Sequence, residues 1–226
     1  SESGECRREV TDGYARYTWV ASDDEGASTR CYPNHLFSRE VDGGRVGEVD
    51  GPWVFEGRFL VDLPAAREQL GRGFLSLITF QVAPPQNEAD GNENAWTSVV
   101  TINVAWEEGW ETPRLNIFHV PEHGEGDYRR ESDAEFPLGR WVDVRVEWDE
   151  DNQIEVYQDG ELVMTAEKTA GEDGEGDPME IEEAELHGMH FGGYASAAVE
   201  GWTILNDELV VAVPDDEAER RRDAGL

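Results

Sequence analysis

The most regular pattern of apolar and polar positions lies between Arg140 and Ala166. Between Arg140 and Trp148 the apolar residues at even positions, Val142, Val144, Val146 and Trp148, alternate with Trp141, Asp143, Arg145 and Glu147. A period of two predicts a strand with one buried face. A polar turn at 149–152 and the dipeptide Asp159-Gly160 divide the rest into two further runs, and Asp-Gly favours a tight hairpin turn. The stretch therefore predicts a three-stranded antiparallel meander.

The same pattern is found in weaker form along the rest of the chain. It predicts strands at Tyr14–Ala21, near His35–Ser38, and at Trp53–Val61, Phe74–Val82, Ser98–Trp106, Leu115–Val120, Leu186–Tyr194 and Trp202–Val213. The almost continuous apolar run 74–82 is typical of a central strand buried on both faces. Residues 123–135 and 169–185 are polar and predict loops, and 64–69 predicts one helical turn.

Short strands separated by turn signals, without a long amphipathic helix, predict an all-β fold, an antiparallel β-sandwich. We find no internal repeat and no linker. The sequence therefore predicts a single domain over 1–226, with the sandwich in 10–213 and a charged tail in 214–226. Trp19, Trp53, Trp148 and Trp202 are predicted core residues.

The charge of the chain limits its partners. It carries 51 acidic and 18 basic residues, a formal net charge of −33. Such a field repels nucleic acid and anionic membrane surfaces, and no apolar run of about 18 residues predicts membrane insertion. We therefore expect the protein to bind neither nucleic acid nor membranes, and we expect it to be a monomer. The charge itself indicates a solubility device suited to saline surroundings, or a surface that holds calcium ions.

Two cysteines, Cys6 and Cys31, lie in polar, loop-like settings. Neither has a histidine or a second cysteine at the spacing of a zinc site. A disulfide between them is the favoured interpretation, and two free thiols are the alternative. A disulfide implies an oxidising compartment, so we expect a secreted, periplasmic or cell-surface protein.

Polar residues inside apolar strands are the first site candidates. Gln81 and Thr79 share a face of one predicted strand, and Thr101 and Asn103 share a face of the next. Asn116 and His119 are on opposite faces of a third predicted strand. If one sheet face forms an open groove, Gln81, Asn103 and Tyr194 line it. The alternative is that these groups only satisfy hydrogen bonds within the protein.

Tryptophans beside loops are the second set of candidates. Trp106 and Trp110 flank the turn Glu107-Glu108-Gly109, where indole rings can stack on sugar C–H surfaces. The alternative is that they anchor the turn in the core. Asp90, Asn92 and Asn94 place oxygen atoms at alternate positions, as in the first part of a calcium loop, and predict a possible structural calcium site.

The meander, read as Trp141-x-x-Val144-x-Val146-x-Trp148 and then Ile154-x-Val156-Tyr157-x-Asp159-Gly160, resembles that of concanavalin A-like lectin/glucanase domains. The chain end, GMHFGGYAS followed by GWTILNDELVVAV, resembles their last two strands. The resemblance covers about Trp53 to Val213 and implies a concanavalin A-like jelly roll. Laminin-G-like modules and jelly-roll polysaccharide lyases share this fold, so it implies no single function.

Catalytic motifs of these relatives are only partly present. The segment Glu180–Glu185 lacks the aspartate of the glucanase motif Glu-x-Asp-x-x-Glu. Jelly-roll alginate lyases carry Gln-x-His, where this chain has Gln81-Val82-Ala83, and a Tyr-x-Lys-Ala-Gly-x-Tyr-x-Gln strand, with which His190–Ser196 aligns at Tyr194 alone. Their Arg-x-Glu-Leu-Arg motif is missing.

These observations lead to three functional hypotheses. The first is an extracellular lectin-like domain that binds a poly- or oligosaccharide through Gln81, Asn103, Trp106, Trp110, His119, His190 and Tyr194. The second is a polysaccharide lyase or glycoside hydrolase with a non-standard active site. The third is a laminin-G-like protein-interaction module.

Overall fold

A computed structural model describes residues 5–20, 29–30, 35–36, 40–41, 44–45, 52–62, 73–83, 98–107, 109–120, 128–149, 153–166, 185–191, 194–196 and 202–212. Within these ranges all regular elements are β-strands. The described part of the chain contains no helix that is long and apolar enough to cross a membrane.

The strands are, in chain order, β1 (Glu5–Thr11), β2 (Tyr14–Val20), β3 (Thr29–Arg30), β4 (His35–Leu36), β5 (Glu40–Val41), β6 (Gly44–Arg45), β7 (Trp53–Asp62), β8 (Gly73–Ala83), β9 (Ser98–Trp106), β10 (Arg114–Val120), β11 (Tyr128–Glu135), β12 (Trp141–Trp148), β13 (Ile154–Gln158), β14 (Glu161–Ala166), β15 (Glu185–Phe191), β16 (Tyr194–Ser196) and β17 (Thr203–Ala212).

Two antiparallel sheets form the sandwich. The first sheet has the order β1-β2-β17-β7-β12-β13-β14. The second has the order β11-β10-β9-β8-β15-β4, and β16 pairs with both β8 and β3. Strands β5 and β6 form a separate pair. Strand β2, near the start of the chain, thus lies next to the last strand, β17, which is a pairing expected of a jelly roll rather than of a simple meander.

The hydrophobic core lies between the inner faces of the two sheets. Phe55 of β7 and Phe80 of β8 have ring centroids 4.5 Å apart, and Trp148 of β12 meets the same Phe80 ring edge to face at 5.7 Å. Phe59 and Phe191 join the sheets further along, at 6.5 Å. These aromatic contacts between the layers show that the inward-facing apolar residues of both sheets pack in one hydrophobic core.

The predicted meander is confirmed as β12, β13 and β14. Its Asp159-Gly160 turn has positive φ at both residues, 51° and 83°. Asp159 accepts a hydrogen bond from the Asp143 backbone N–H at 3.0 Å, and its own N–H donates to Asp143 O at 2.8 Å. The turn joins β13 to β14, and its left-handed geometry matches the twist of these two strands. The two hydrogen bonds with Asp143 tie the turn to β12.

The structure corrects two expectations. Residues 128–135, predicted as part of a polar loop, form strand β11 at the edge of the second sheet. The predicted strand 186–194 divides into β15 and β16, which pair separately with β8. Trp53, Trp148 and Trp202 are buried as predicted. The side chain of Trp19, the helical turn at 64–69 and the tail at 214–226 lie outside the described residues.

The outer face of the first sheet is charged, in agreement with the polar half of the β12 pattern. Arg145 contacts Glu56 across the β7–β12 ladder and Glu147 two residues along its own strand. Tyr157 of β13 donates a hydrogen bond to Glu155 Oε2 at 2.5 Å. This hydrogen bond, together with partial burial and neighbouring carboxylates, raises the pKa of Tyr157 to about 12.

The raised pKa of Tyr157 predicts a loss of stability at high pH. The unfolded chain ionises this phenol near its ordinary value of 10.0, whereas the folded chain holds the proton up to about 12. The unfolded state therefore binds fewer protons in that interval, and the free energy of unfolding falls as pH rises through it. We expect Tyr157→Phe to reduce this fall in urea unfolding curves measured below and within the interval. Tyr14→Phe, on the same outer face, is the control, and an equal slope for both variants would contradict the assignment.

Candidate functional site

The outer face of the second sheet carries a row of polar side chains at its centre. Ser76 of β8 is directly opposite Asn103 of β9, and Asn103 is directly opposite Asn116 of β10. A β-bulge between Ser76 and Ile78 places Ser76 on the same face as Thr79, three residues further on. The inner face of these strands packs in the hydrophobic core. The polar row is therefore on the outer face of the sheet, directly behind the core.

The four residues Ser76, Thr101, Asn103 and Asn116 form a connected set that we call the amide network. Ser76 Oγ donates to Asn103 Oδ1 at 2.7 Å. Asn103 Nδ2 donates to Thr101 Oγ1 at 2.9 Å and to Asn116 Oδ1 at 2.8 Å. Thr101 Oγ1 donates to the backbone oxygen of Phe118 at 3.4 Å. All four side chains are buried, with Ser76 and Asn103 at 0% exposure, so their hydrogen bonds offset a large desolvation cost.

Aromatic rings lie beside the amide network. The rings of Phe74 in β8 and Phe118 in β10 have centroids 6.2 Å apart. Since β9 separates these two strands, which are about 9–10 Å apart in a regular sheet, the rings lean towards each other above β9. Both phenylalanines are half-buried. They therefore form part of the boundary of the site above Asn103.

Trp110 is placed by the tight turn that follows β9. Its backbone N–H donates to Glu107 O at 3.0 Å, and Gly109 supplies the left-handed φ of 90° that the turn requires. The guanidinium of Arg114 lies 4.8 Å from the centre of the indole ring. Both side chains are half-buried, so the pair forms a ledge at one end of the outer face.

Two arginines, Arg114 and Arg129, lie at this face, and Glu135 of β11 is opposite Arg114. Arg129 of β11, opposite Phe118, contacts Glu107 at 2.7 Å and Glu131 at 2.9 Å. Arg114 has no carboxylate partner in the ranges that the structure describes. The Nε atoms of both arginines are buried without a hydrogen-bond partner there. Donor capacity therefore remains at this face for an acceptor group.

Three predicted site residues are placed here by backbone register alone. His190 of β15 lies opposite Thr79, and Gln81 lies opposite Val99 and Gly188. Tyr194 precedes Ala195, which pairs with Leu75, so Tyr194 comes level with Ser76. His190 and Tyr194 thus occupy rows next to the amide network. Gln81 is four rows from Asn103 along the strands, about 13 Å away.

The structure corrects the interpretation of two other candidates. Trp106 is only 7% exposed and packs edge to face on Trp202 at 4.8 Å, within the core. Its indole cannot stack on a sugar, because the alternation of β9 points it inward. His119 lies opposite Val100, a core residue, and is 3% exposed. It therefore faces away from Asn103 and Asn116.

The remaining candidates are outside the described residues or only partly within them. Asp90, Asn92 and Asn94 belong to the first group, so the calcium loop stays a prediction. Cys6 lies in β1 and packs against the core, whereas Cys31 is not described, so their disulfide also stays a prediction. The acidic segment 180–184 is likewise outside these ranges.

Sequence reasoning missed the part of the site that lies on β11 and at the start of β10. Arg129 was hidden in a segment without apolar alternation, and Arg114 follows a proline next to a turn. Ser76 is the only polar residue between Phe74 and Ile78. That isolated hydroxyl in an apolar run was the available signal, but only the bulge shows which face it occupies.

Comparisons with protein-family models and with curated proteins give no match. Among solved structures, the chain is similar to the receptor binding domain of botulinum neurotoxin D, with a TM-score of 0.53 and 8% identity over 98% of this chain and 47% of that one. It is also similar to the alginate lyase AlyC3, with a TM-score of 0.51 and 9% identity over 93% of this chain and 89% of that one.

A third similar structure, the marine PL7 alginate lyase AlyA1 from Zobellia galactanivorans, has a TM-score of 0.47 and 16% identity over 93% of this chain and 95% of that one. At such identities a structural match concerns the fold and leaves function open. The strand order, the two antiparallel sheets and these similarities agree with one another. The chain has a jelly-roll β-sandwich fold of the concanavalin A-like type.

Proposed function

We propose that the chain binds a poly- or oligosaccharide across the outer face of the second sheet. The observation that carries the proposal is the amide network, a buried polar floor with half-buried aromatic and arginine side chains beside it. Binding sites for small polar ligands combine aromatic surface with a few fixed polar groups in this way. The half-buried indole of Trp110 is a ring of the kind that stacks on sugars.

The arginines favour an acidic saccharide over a neutral one. Arg114 has no carboxylate partner within the described ranges, although the chain has 51 acidic residues. Its guanidinium lies over the indole ring of Trp110, 4.8 Å from the ring centroid. A planar, weakly hydrated guanidinium is well suited to a carboxylate or sulfate group.

A matched pair of tryptophan variants tests the proposal. Trp110 and Trp141 are both half-buried, and each has an arginine guanidinium over its ring, at 4.8 Å and 5.5 Å. Trp110 lies beside the amide network, whereas Trp141 lies on the outer face of the first sheet. We expect Trp110→Ala to weaken binding about five- to tenfold, the value of one aromatic contact, and Trp141→Ala to leave it unchanged.

Binding is measured by a glycan array, followed by calorimetric titration of the strongest ligand. Equal effects of the two variants would move the site away from the second sheet. An array without any bound glycan would overturn the proposal and leave the protein-interaction module as the better hypothesis.

The second candidate function is a polysaccharide lyase. Backbone register brings His190 and Tyr194 to rows beside the amide network. In such a reaction a base removes the proton next to the uronate carboxylate, the glycosidic C–O bond breaks, a C=C bond forms, and the leaving oxygen takes a proton. Asn116 and Arg114 would stabilise the carboxylate. The unsaturated product absorbs ultraviolet light, so a flat absorbance trace with uronate polymers that bind would exclude catalysis.

The location of the protein, its disulfide and its calcium site are further parts of this proposal. An extracellular, periplasmic or surface location agrees with a polysaccharide partner, and a Cys6–Cys31 disulfide would suit that compartment. Mass spectrometry with and without reductant tests the disulfide. Calcium titration of chelator-treated protein tests the loop at 90–94, where neither heat nor a melting shift would reject the site.

A further inference from the structure

We infer that Asn116 meets the ligand with its side-chain NH₂ group only, so that the site selects a ligand group that accepts hydrogen bonds, best a carboxylate or sulfate. Thr101 and Asn103 act as positioning residues that impose this direction. The inference rests on the proposed saccharide site and names the chemical group that the site takes.

The direction of the amide network follows from one atom. The backbone oxygen of Phe118 can only accept a hydrogen bond, and Thr101 Oγ1 lies 3.4 Å from it, a long hydrogen bond that takes the single hydroxyl proton of Thr101. The atom of Asn103 that faces Thr101 Oγ1 must therefore be a donor, which identifies it as Nδ2.

The orientation of Asn103 determines the groups at both ends of the network. Since Nδ2 of Asn103 faces Thr101 and Asn116, its Oδ1 faces Ser76, and Ser76 donates to it. The atom of Asn116 that faces Asn103 must be an acceptor, so it is Oδ1. The NH₂ group of Asn116 then points away from Asn103. A reversed Asn116 would place two donors against each other.

The NH₂ group of Asn116 has no partner in the described part of the chain. Its nitrogen is not among the fully buried atoms there that lack a hydrogen bond, although Asn116 as a whole is only 2% exposed. Asn116 is two residues from Arg114 on the same face of β10 and lies opposite Glu131. Two N–H donors beside a guanidinium without a carboxylate partner favour an acceptor group.

Hydrogen exchange of the asparagine side chains tests the direction without any ligand. In protein labelled with ¹⁵N-asparagine, we expect the Asn103 NH₂ protons to exchange slowly, because both are donated inside the protein, and the Asn116 NH₂ protons to exchange fast. Thr101→Val should speed exchange at Asn103. Thr79→Val is the matched control, because Thr79 lies opposite Thr101 and both are 8% exposed. Equally slow exchange at Asn116 and Asn103 would overturn the inference.

Selectivity for the ligand group is the second test. The probes are mannuronate oligomers and mannose oligomers of the same linkage, which differ in the carboxylate. We expect the native protein and Thr79→Val to prefer mannuronate about tenfold or more, since a hydrogen bond to a charged group is worth about 1.5–3 kcal/mol. Thr101→Val frees the Asn103 amide to turn, so that Asn116 can present either end, and the preference should fall several-fold. An unchanged preference would overturn the positioning role.

A charge variant gives a signature that lost packing does not produce. Asn116→Asp replaces two donors by acceptors, so mannuronate binding should be lost at neutral pH and return as the pH falls and the new carboxyl gains a proton. Binding by this variant that does not depend on pH would overturn the inference. If neither probe binds to the native protein, the proposed function fails for this ligand class, while the exchange experiment still decides the direction of Asn116.

Discussion

Replacing Trp148 by alanine is expected to lower the free energy of unfolding by about 3–5 kcal/mol, the usual range for a large buried aromatic residue. The Trp148 side chain is 0% exposed. Its ring meets Trp53 edge to face at 5.5 Å and Phe80 of the opposite sheet at 5.7 Å. Removal of the indole therefore leaves a cavity between the sheets and breaks two aromatic contacts at once.

Trp141→Ala is the control for this prediction, because Trp141 begins the same strand on its outer face and is half-buried. We expect it to cost about 1 kcal/mol, as for surface substitutions that also lose a ring contact. Urea unfolding followed by far-ultraviolet circular dichroism measures both. Comparable losses of unfolding free energy for the two variants would contradict the role of Trp148 as a core residue.

Asn103→Leu is expected to cost about 2–4 kcal/mol, although leucine has a similar size and is more apolar. Asn103 is 0% exposed and provides the partner atoms for Ser76, Thr101 and Asn116. The substitution leaves several polar groups buried or half-paired, and each stranded group costs about 1–3 kcal/mol unless water enters. The hydrophobic gain of a buried leucine offsets only part of this cost, because the groups around position 103 are polar.

Thr79→Val is again the matched control, with an expected loss below about 1 kcal/mol. A double variant sharpens the test. In the Thr101→Val background, Asn103→Leu should cost less than in the native protein, because one of the groups that it strands has already been removed. Fully additive losses would mean that the hydrogen bonds of Asn103 are energetically independent of Thr101.

The elements with the strictest alternation were predictable from the sequence. In β12, the even positions from Val142 to Trp148 are buried and the odd positions are half-buried or exposed. The strand pairs on both sides, so alternation was the only pattern compatible with one apolar and one solvated face. The Asp159-Gly160 turn then predicted the pairing of β13 with β14. Local chemistry alone was sufficient in this part of the fold.

Edge strands were not predictable in the same way. Strand β1 has exposed side chains from Arg7 to Val10, and β11 has a single fully buried side chain among residues 129–135, that of Ser132. A strand that buries neither face carries no alternation of apolar residues. Its pairing comes from backbone hydrogen bonds to a neighbour that the sequence does not identify. For this reason Arg129 and its contacts stayed outside the predicted site.

The composition of the site was half predictable. Asn103 was identified as a polar residue in an apolar strand, and the sequence grouped it with Gln81. The structure pairs it with Ser76 instead, because the bulge in β8 adds one residue on the inner face. Without the bulge, Ser76 would face the core and Thr79 the outside, and no regular count of residues would bring both to one face.

The bulge also determines where β8 can tolerate a change of chain length. A residue gained or lost between Thr79 and Gln81 would exchange the two faces beyond that point, turning a core position such as Phe80 outwards. The loss of Leu77 is different, since Ser76 and Ile78 would then follow each other in ordinary alternation. We expect natural insertions and deletions in related chains to gather at this position and to avoid the rest of the strand.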